Sequence, residues 1–141
     1  MTDPTPLDRA ALRRLVDAFY ADVRRDELLS PVFAAAITDW EPHLERMTDF
    51  WSTVMLHSRS FKGNVYQKHV ALADASDVQP AHFLRWITLW HRCSEALFPG
   101  ETARALQAKA EGIGRNLFYG FFKQFARFIV QDGEAVGYEA V

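Results

Sequence analysis

Five histidines are the side chains in this sequence best suited to bind a metal or to move a proton near neutral pH. His43 shares a predicted helix face with Met47 and Trp51, so it faces the predicted core. A lone histidine on such a face is more often a core residue than a ligand. His69 lies midway along a predicted short helix between two loops, where a core role and a ligand role are equally open. The remaining three lie near helix ends or beside charged residues and are interpreted as surface residues: His57, His82 and His91.

Sequence motifs for several other chemistries are absent. There is no H-E-x-x-H helix, no Cys/His zinc spacing and no C-x-x-C-H for covalent haem attachment. A carboxylate-bridged di-iron site needs E-x-x-H repeats, and neither Glu41 nor Glu45 has a histidine three residues later. No nucleophile elbow surrounds a serine or Cys93, and no Gly-rich phosphate loop is present. The pattern therefore favours a site centred on histidine.

Composition narrows the class of protein further. The chain has 141 residues, of which 49% are hydrophobic and 24% charged, a balance typical of one globular domain. Its net charge of -2 gives no basic surface for nucleic acid, and no apolar run is long enough to span a membrane. Residues 1–12 have no apolar signal-peptide core, and the single Cys93 cannot form an internal disulfide. We therefore expect a cytoplasmic protein with no nucleic-acid or membrane partner.

Apolar residues at helical spacing predict the elements that would position these side chains. Thr5 and Asp8 predict the start of a first helix, and Thr38 with Glu41 forms a capping-box pattern before another. Ser30-Pro31 predicts only a short turn between those two helices. The other predicted helices cover Val65–Leu72, a segment from Pro80 to about Leu97, and Glu101–Val130.

We identify no segment as a β-strand from its periodicity, so the predicted fold class is all-α. We divide the chain into an N-terminal extension (1–6), one domain (7–130) and a polar C-terminal tail (131–141). Aromatic residues make up 13% of the chain, and most of them fall at helical spacing. Such a stripe is more often a packed core than the lining of a cofactor site.

The combination and order of these residues are more specific than any one of them. The series comprises Phe19-Tyr20, Ser30-Pro31 with Phe33, Trp40-x-x-His43, Phe50-Trp51, Gly63, Lys68-His69 and Trp86. It closely resembles the truncated haemoglobins, and within them group III, over roughly residues 7–129. The resemblance implies a globin-like two-over-two helical sandwich around noncovalent haem b.

The resemblance also implies roles for individual residues. His69 matches the proximal iron ligand, and His43 could bind the iron on the opposite, distal side when no other ligand is present. Val70-Ala71 follow His69 where relatives often have Leu-Pro, which affects the expected backbone there and not the role of His69. The predicted distal polar residues, which would also be the catalytic ones, are Tyr20, His43 and Trp86. The predicted haem contacts are Phe33, Met47, Trp51 and Leu72, with Arg46 and Lys68 pairing with the propionates.

What the resemblance implies about function is the binding of O2, NO, CO or peroxide in a polar distal pocket. Distal donors strengthen the binding of O2, so slow release would suit redox detoxification or tight scavenging better than transport. Peroxidase-like or NO-dioxygenase-like turnover would need a separate reductase, since the chain has no flavin or nicotinamide motif. The alternatives are a non-catalytic O2 or NO store and a cofactor-free helical interaction module. A sensor is disfavoured because the chain leaves no room for an output domain.

Overall fold

Helix α1 spans Arg9–Arg25 in the computed structural model, which describes residues 7–61, 63 and 77–141. The carboxylate of Asp8 caps it by accepting a hydrogen bond from the amide of Ala11 at 2.8 Å. The helix therefore begins with Asp8 as its cap, and the predicted start with a Thr5 cap is wrong. The apolar face predicted for this helix is buried, as expected: Leu12, Leu15, Val16, Phe19, Tyr20 and Val23.

Two further helices follow α1. The predicted turn after Ser30-Pro31 is wrong, because these residues begin helix α2 (Ser30–Ala36) with the proline in its first turn. Helix α3 spans Trp40–Leu56, and Asp39 stands at its N-cap position without a side-chain capping hydrogen bond. The capping box predicted from Thr38 and Glu41 is therefore also wrong. Helix α3 ends at His57, whose φ of 58° is in the left-handed region.

Of the next two helices, the first agrees with the prediction and the second ends earlier than predicted. Helix α4 spans Pro80–Leu97, in agreement with the segment predicted from Pro80. Helix α5 spans Gly100–Phe122, whereas the sequence predicted a helix reaching Val130. Lys123 ends it in the left-handed conformation, with a φ of 59°. Residues 123–130 are therefore not helical, and this part of the prediction is wrong.

A β-hairpin follows α5 and occupies the end of the predicted last helix together with most of the predicted polar tail. Strand β1 (Ala126–Gln131) pairs antiparallel with strand β2 (Glu134–Ala140). The two residues that join the strands, Asp132 and Gly133, have φ values of 53° and 77°. Two consecutive positive φ values are typical of a tight type I′ hairpin turn, in which Asp-Gly is a preferred pair. The prediction that no segment forms a strand is therefore wrong, and most of the predicted polar tail 131–141 belongs to strand β2.

The helices pack in two layers, and the hairpin lies on the outside of one of them. Helix α1 contacts α2, α3 and α4, and α4 contacts α5. Strand β1 contacts α5, while β2 contacts α4, where the amide of Ala135 donates to the hydroxyl of Thr88 at 2.9 Å. The helical body has the contacts that a two-over-two sandwich requires, and the hairpin is an addition to it.

Surface ion pairs also join α1 to α3. Arg9 pairs with Glu45 and Asp49, and Arg13 pairs with Glu41 and Glu45. Exposed pairs of this kind contribute at most about 1 kcal/mol each, so the buried face of α1 contributes more to the packing. Among the helices that the structure describes, none is long and apolar enough to cross a membrane.

Candidate functional site

A cavity of about 460 Å³ opens between the helices that the structure describes, and its wall contains residues from each of α1 to α5. Its lining is mostly apolar and rich in aromatic rings. Every predicted site residue in the described part of the chain lies on this wall: Tyr20, Phe33, His43, Arg46, Met47, Trp51 and Trp86. The fold therefore brings together side chains that are up to 66 positions apart in the sequence.

Three of the predicted site residues lie outside the residues that the structure describes. They are Lys68, His69 and Leu72, which the resemblance assigns to a haem propionate, to the iron and to a haem contact. Their roles stay predictions.

An aromatic cluster surrounds Tyr20 at the side of the cavity formed by α1, α2 and α3. The Tyr20 ring meets the rings of His43 and Phe33 edge to face, at centroid distances of 5.0 and 6.0 Å. Trp40 lies 5.8 Å from both Tyr20 and His43, and the guanidinium of Arg24 covers the Trp40 ring at 4.6 Å. Burial raises the pKa of the Tyr20 hydroxyl above its ordinary value of 10.0. The hydroxyl therefore keeps its proton at neutral pH and can act as a donor.

A second group of rings connects the cavity wall to the core of the protein. Trp51 stacks on Trp90 with 4.4 Å between their centroids and 19° between their planes. The Trp90 indole donates to the carbonyl of Leu106 at 3.1 Å, which ties the stack to α5. Phe19 contacts both Trp90 and Trp86 edge to face, at 5.2 and 6.1 Å. The indole of Trp86 therefore packs against a cluster of aromatic rings that reaches the core.

Among the described residues of this wall, Arg46 is the side chain with a permanent positive charge. It is exposed, and within the described part of the chain it forms no ion pair. A guanidinium in that position can pair with a carboxylate at the edge of a ligand whose apolar body lies in the cavity.

Sequence reasoning assigned two histidines to the surface that the structure places elsewhere. His82, interpreted as a surface residue, is half-buried and lines the cavity; its Nδ1 accepts the amide hydrogen of Gln79 at 2.9 Å. Its position four residues before Trp86 on the same helix was a signal for this location. His91 is also not a surface residue, since it is 7% exposed and its Nε2 lies 3.6 Å from Glu111. His57 is exposed, as predicted.

Chemically, the wall fits a ligand that is mostly apolar and carries negative charge near Arg46. The volume lies within the range of about 300–1,000 Å³ that is usual for cofactor sites, and polar groups are few and grouped. Tyr20, His43 and Trp86 can hydrogen-bond a small molecule in the cavity, and the histidine can also transfer a proton.

Comparisons with known proteins agree with this fold. No family model matches the chain. The curated "Group 3 truncated hemoglobin ctb" of Campylobacter jejuni is 23% identical over 120 residues, which cover 80% of this chain and 92% of that protein. The crystal structure of a group III truncated haemoglobin from Campylobacter jejuni superimposes with a TM-score of 0.78 at 23% identity, covering 87% of this chain and 97% of that chain. The resemblance inferred from the residues is thus confirmed, and the fold is the globin-like helical fold of the truncated haemoglobins.

Proposed function

We propose that this chain binds haem b noncovalently in the cavity between its helices, with His69 as the proximal iron ligand. We further propose that it binds O2 or another small ligand there for redox detoxification or tight scavenging. The observation that carries the proposal is the convergence of seven predicted site residues, from four different helices, on one wall. The similarity to a group III truncated haemoglobin supports it.

The described residues of the cavity fit this cofactor. The rings of Phe33 and Trp51 offer an apolar surface for a flat macrocycle, and Arg46 offers a cation for a propionate. Haem would supply an iron centre able to bind a small gas molecule or peroxide.

The distal side chains would determine how tightly such a ligand is held. Tyr20 keeps its proton because it is buried, and Trp86 can only donate through its indole N–H. A hydrogen bond to a group that carries charge contributes about 1.5–3 kcal/mol. Two donors would therefore slow ligand release by about 10²–10⁴, because each 1.4 kcal/mol is a factor of ten. Slow release supports scavenging or turnover and disfavours transport.

His43 gives the pocket a group that can exchange a proton near neutral pH. It contacts Tyr20 and Trp40 through ring edges on the cavity wall. From there it could deliver a proton to the ligand or bind the iron itself when no ligand is present. The proposed catalytic role needs a separate reductase as partner.

The test is haem binding by the purified protein. We expect haemin titration to produce a sharp visible band with one equivalent bound, and His69→Gly to lose most of that binding or to bind haem only when imidazole is added. His57→Asn is the matched control, because His57 is exposed and asparagine tolerates its left-handed backbone. A colourless protein, or a His69→Gly variant with unaltered spectrum and affinity, would refute the proposal.

The redox part of the proposal needs its own measurement. We expect the haem-loaded protein to consume peroxide, or NO in the presence of O2, when an artificial electron donor is supplied. Variants of His43 that cannot carry a proton, such as His43→Leu, should lose turnover by about 10²-fold or more. Tight ligand binding without turnover would instead leave scavenging or storage as the function.

A further inference from the structure

We infer that the C-terminal hairpin is a positioning element for the cavity wall, and that Phe128 is the residue through which it holds Trp86 in place. This inference rests on the proposed function, in which the Trp86 indole is a donor to the bound ligand. The hairpin itself does not line the cavity in the described part of the chain. Phe128 is therefore a positioning residue and not a catalytic one.

Gly114 is the point where the hairpin and the cavity wall meet. A Cβ atom at Gly114 would stand 3.1 Å from Cε2 of Phe128 and 3.6 Å from Cζ3 of Trp86. The two rings therefore lie against the same place on α5, and the missing side chain of the glycine allows both to approach. Trp86 also packs against the buried cluster that contains Phe128, so a displaced Phe128 ring would change the space available to the indole.

Phe128 also supports the neighbouring turn of the helix that carries Trp86. It stacks on Phe83 with 6.5 Å between the centroids and 10° between the planes, and Phe83 lines the cavity. Phe118 contacts both of these rings, with centroid distances of 5.2 Å to Phe83 and 6.2 Å to Phe128. One ring of β1 thus contacts two elements of the cavity wall at once, α4 and α5.

The position of Phe128 is itself well determined by the hairpin. The tight turn at Asp132-Gly133 sets the register of the strands, and the bond from Ala135 to Thr88 fixes β2 to α4. Phe128 is 8% exposed, so its ring is held on its sides by other residues. A hydrogen bond from an N–H group has a donor–acceptor distance of about 2.7–3.2 Å and weakens steeply when its angle falls below about 120°. A support that prevents small shifts of the indole would therefore affect how strongly the pocket holds its ligand.

The experiment compares Phe128→Ala with Trp86→Phe in the haem-loaded protein. We expect Phe128→Ala to accelerate O2 dissociation about three- to tenfold, which is part of the effect of removing the indole donor, and to shift the C–O stretching frequency of the CO complex. In the double variant Phe128→Ala/Trp86→Phe, O2 should dissociate no faster than in Trp86→Phe alone. Phe128→Leu, which refills most of the space, should restore the frequency in large part.

Val136→Ala is the matched control, since Val136 lies on the same hairpin and is 54% exposed. It should leave both the rate and the frequency unchanged. Gly114→Ala provides a second variant: its new Cβ presses on Phe128 and Trp86, and we expect it to alter the same two readouts while haem binding persists.

The outcomes separate this inference from the proposed function. If haem binds and Trp86→Phe accelerates O2 dissociation, but Phe128→Ala and Gly114→Ala leave rate and frequency unchanged, the inference is wrong and the proposed function stands. The inference is also wrong if Phe128→Ala accelerates O2 dissociation as much in the Trp86→Phe variant as in the unmodified protein. The same holds if Trp86→Phe itself does not change the rate of O2 dissociation. If the protein with His69 intact does not bind haem, the proposed function is contradicted, and the inference fails with it.

Discussion

The rings of Tyr20 and His43 meet edge to face, with 5.0 Å between their centroids and 84° between their planes. The Tyr20 ring has a second contact of this kind with Phe33 and a tilted one with Trp40. All three are contacts between rings, and phenylalanine keeps the ring. Removing the oxygen atom alone should therefore leave the ring in place, so that a change in ligand binding reports the lost donor.

Tyr20→Phe is the substitution that uses this relationship. We expect O2 dissociation from the haem-loaded protein to become about 10- to 100-fold faster, because one hydrogen bond of about 1.5–3 kcal/mol is lost. Stopped-flow displacement of O2 by CO measures this rate. Tyr119→Phe, on an exposed tyrosine that does not line the cavity, should have no effect. An unchanged rate in Tyr20→Phe would exclude the Tyr20 hydroxyl as a dominant donor.

Arg46 should contribute modestly to haem affinity. Because its guanidinium is exposed, solvent screens any pair with a propionate, and we expect Arg46→Gln to weaken haem affinity about two- to fivefold. Transfer of haem to an excess of apomyoglobin measures the rate at which the protein loses haem, and this rate should rise as the affinity falls. Arg92→Gln, which removes an exposed arginine away from the cavity, is the control. An equal effect of both substitutions would show only a general influence of net charge.

Asp26 links the end of α1 to α2 and α4. Its carboxylate accepts hydrogen bonds from the amides of Leu28 and Leu29 at 3.1 and 3.0 Å and from Arg85 at 2.6 Å. Burial alone would raise the pKa of this carboxyl, but the bonds from Arg85 and Leu29 outweigh it and lower the pKa below its ordinary value of 3.8. Leu29 lines the cavity, so the same carboxylate also helps to position the wall.

The lowered pKa of Asp26 predicts a pH dependence of stability. The stabilisation is fully present above the ordinary pKa and is lost as the pH falls through the lower pKa of the folded state. Asp26→Asn should reduce the free energy of unfolding by about 1–3 kcal/mol at pH 7 and should flatten the acid limb below about pH 4. Urea unfolding at several pH values measures this. Glu27→Gln, at an exposed neighbour, is the control, and a loss that does not change with pH would contradict the prediction.

The hairpin turn offers a test of stability with an internal control. Gly133 has a φ of 77°, which costs a residue with a side chain about 1–2 kcal/mol, so Gly133→Ala should destabilise the protein by about that amount. Gly137→Ala lies in β2 with no atom within 4 Å of the new Cβ and should be nearly neutral. Chemical unfolding of both variants measures the difference. Equal effects would show that the strained turn is not the cause.

The helical body could be predicted from sequence because its signal is local and repeated. In α1, every residue of the predicted apolar face is buried, since one period of 3.6 residues places them all on the same side. The aromatic and histidine residues of the site could be identified by type and order. Helix caps were less predictable, because Thr38 and Asp39 are both able to cap and only one of them stands at the start of α3.

Sequence alone therefore determined which faces of the helices are apolar and which residue types, in which order, form the site. Only the tertiary structure decided the segment after Phe122, where two patterns compete. Phe121, Phe125 and Phe128 fit a helix, while Ala126, Phe128 and Val130 fit a strand that precedes an Asp-Gly turn. Packing of Phe128 against Gly114 and the bond from Ala135 to Thr88 favour the strand, and both partners are distant in sequence. The spacing of four residues between His82 and Trp86 indicates a shared helix face, but only the packing of the helices against one another places that face on the cavity wall.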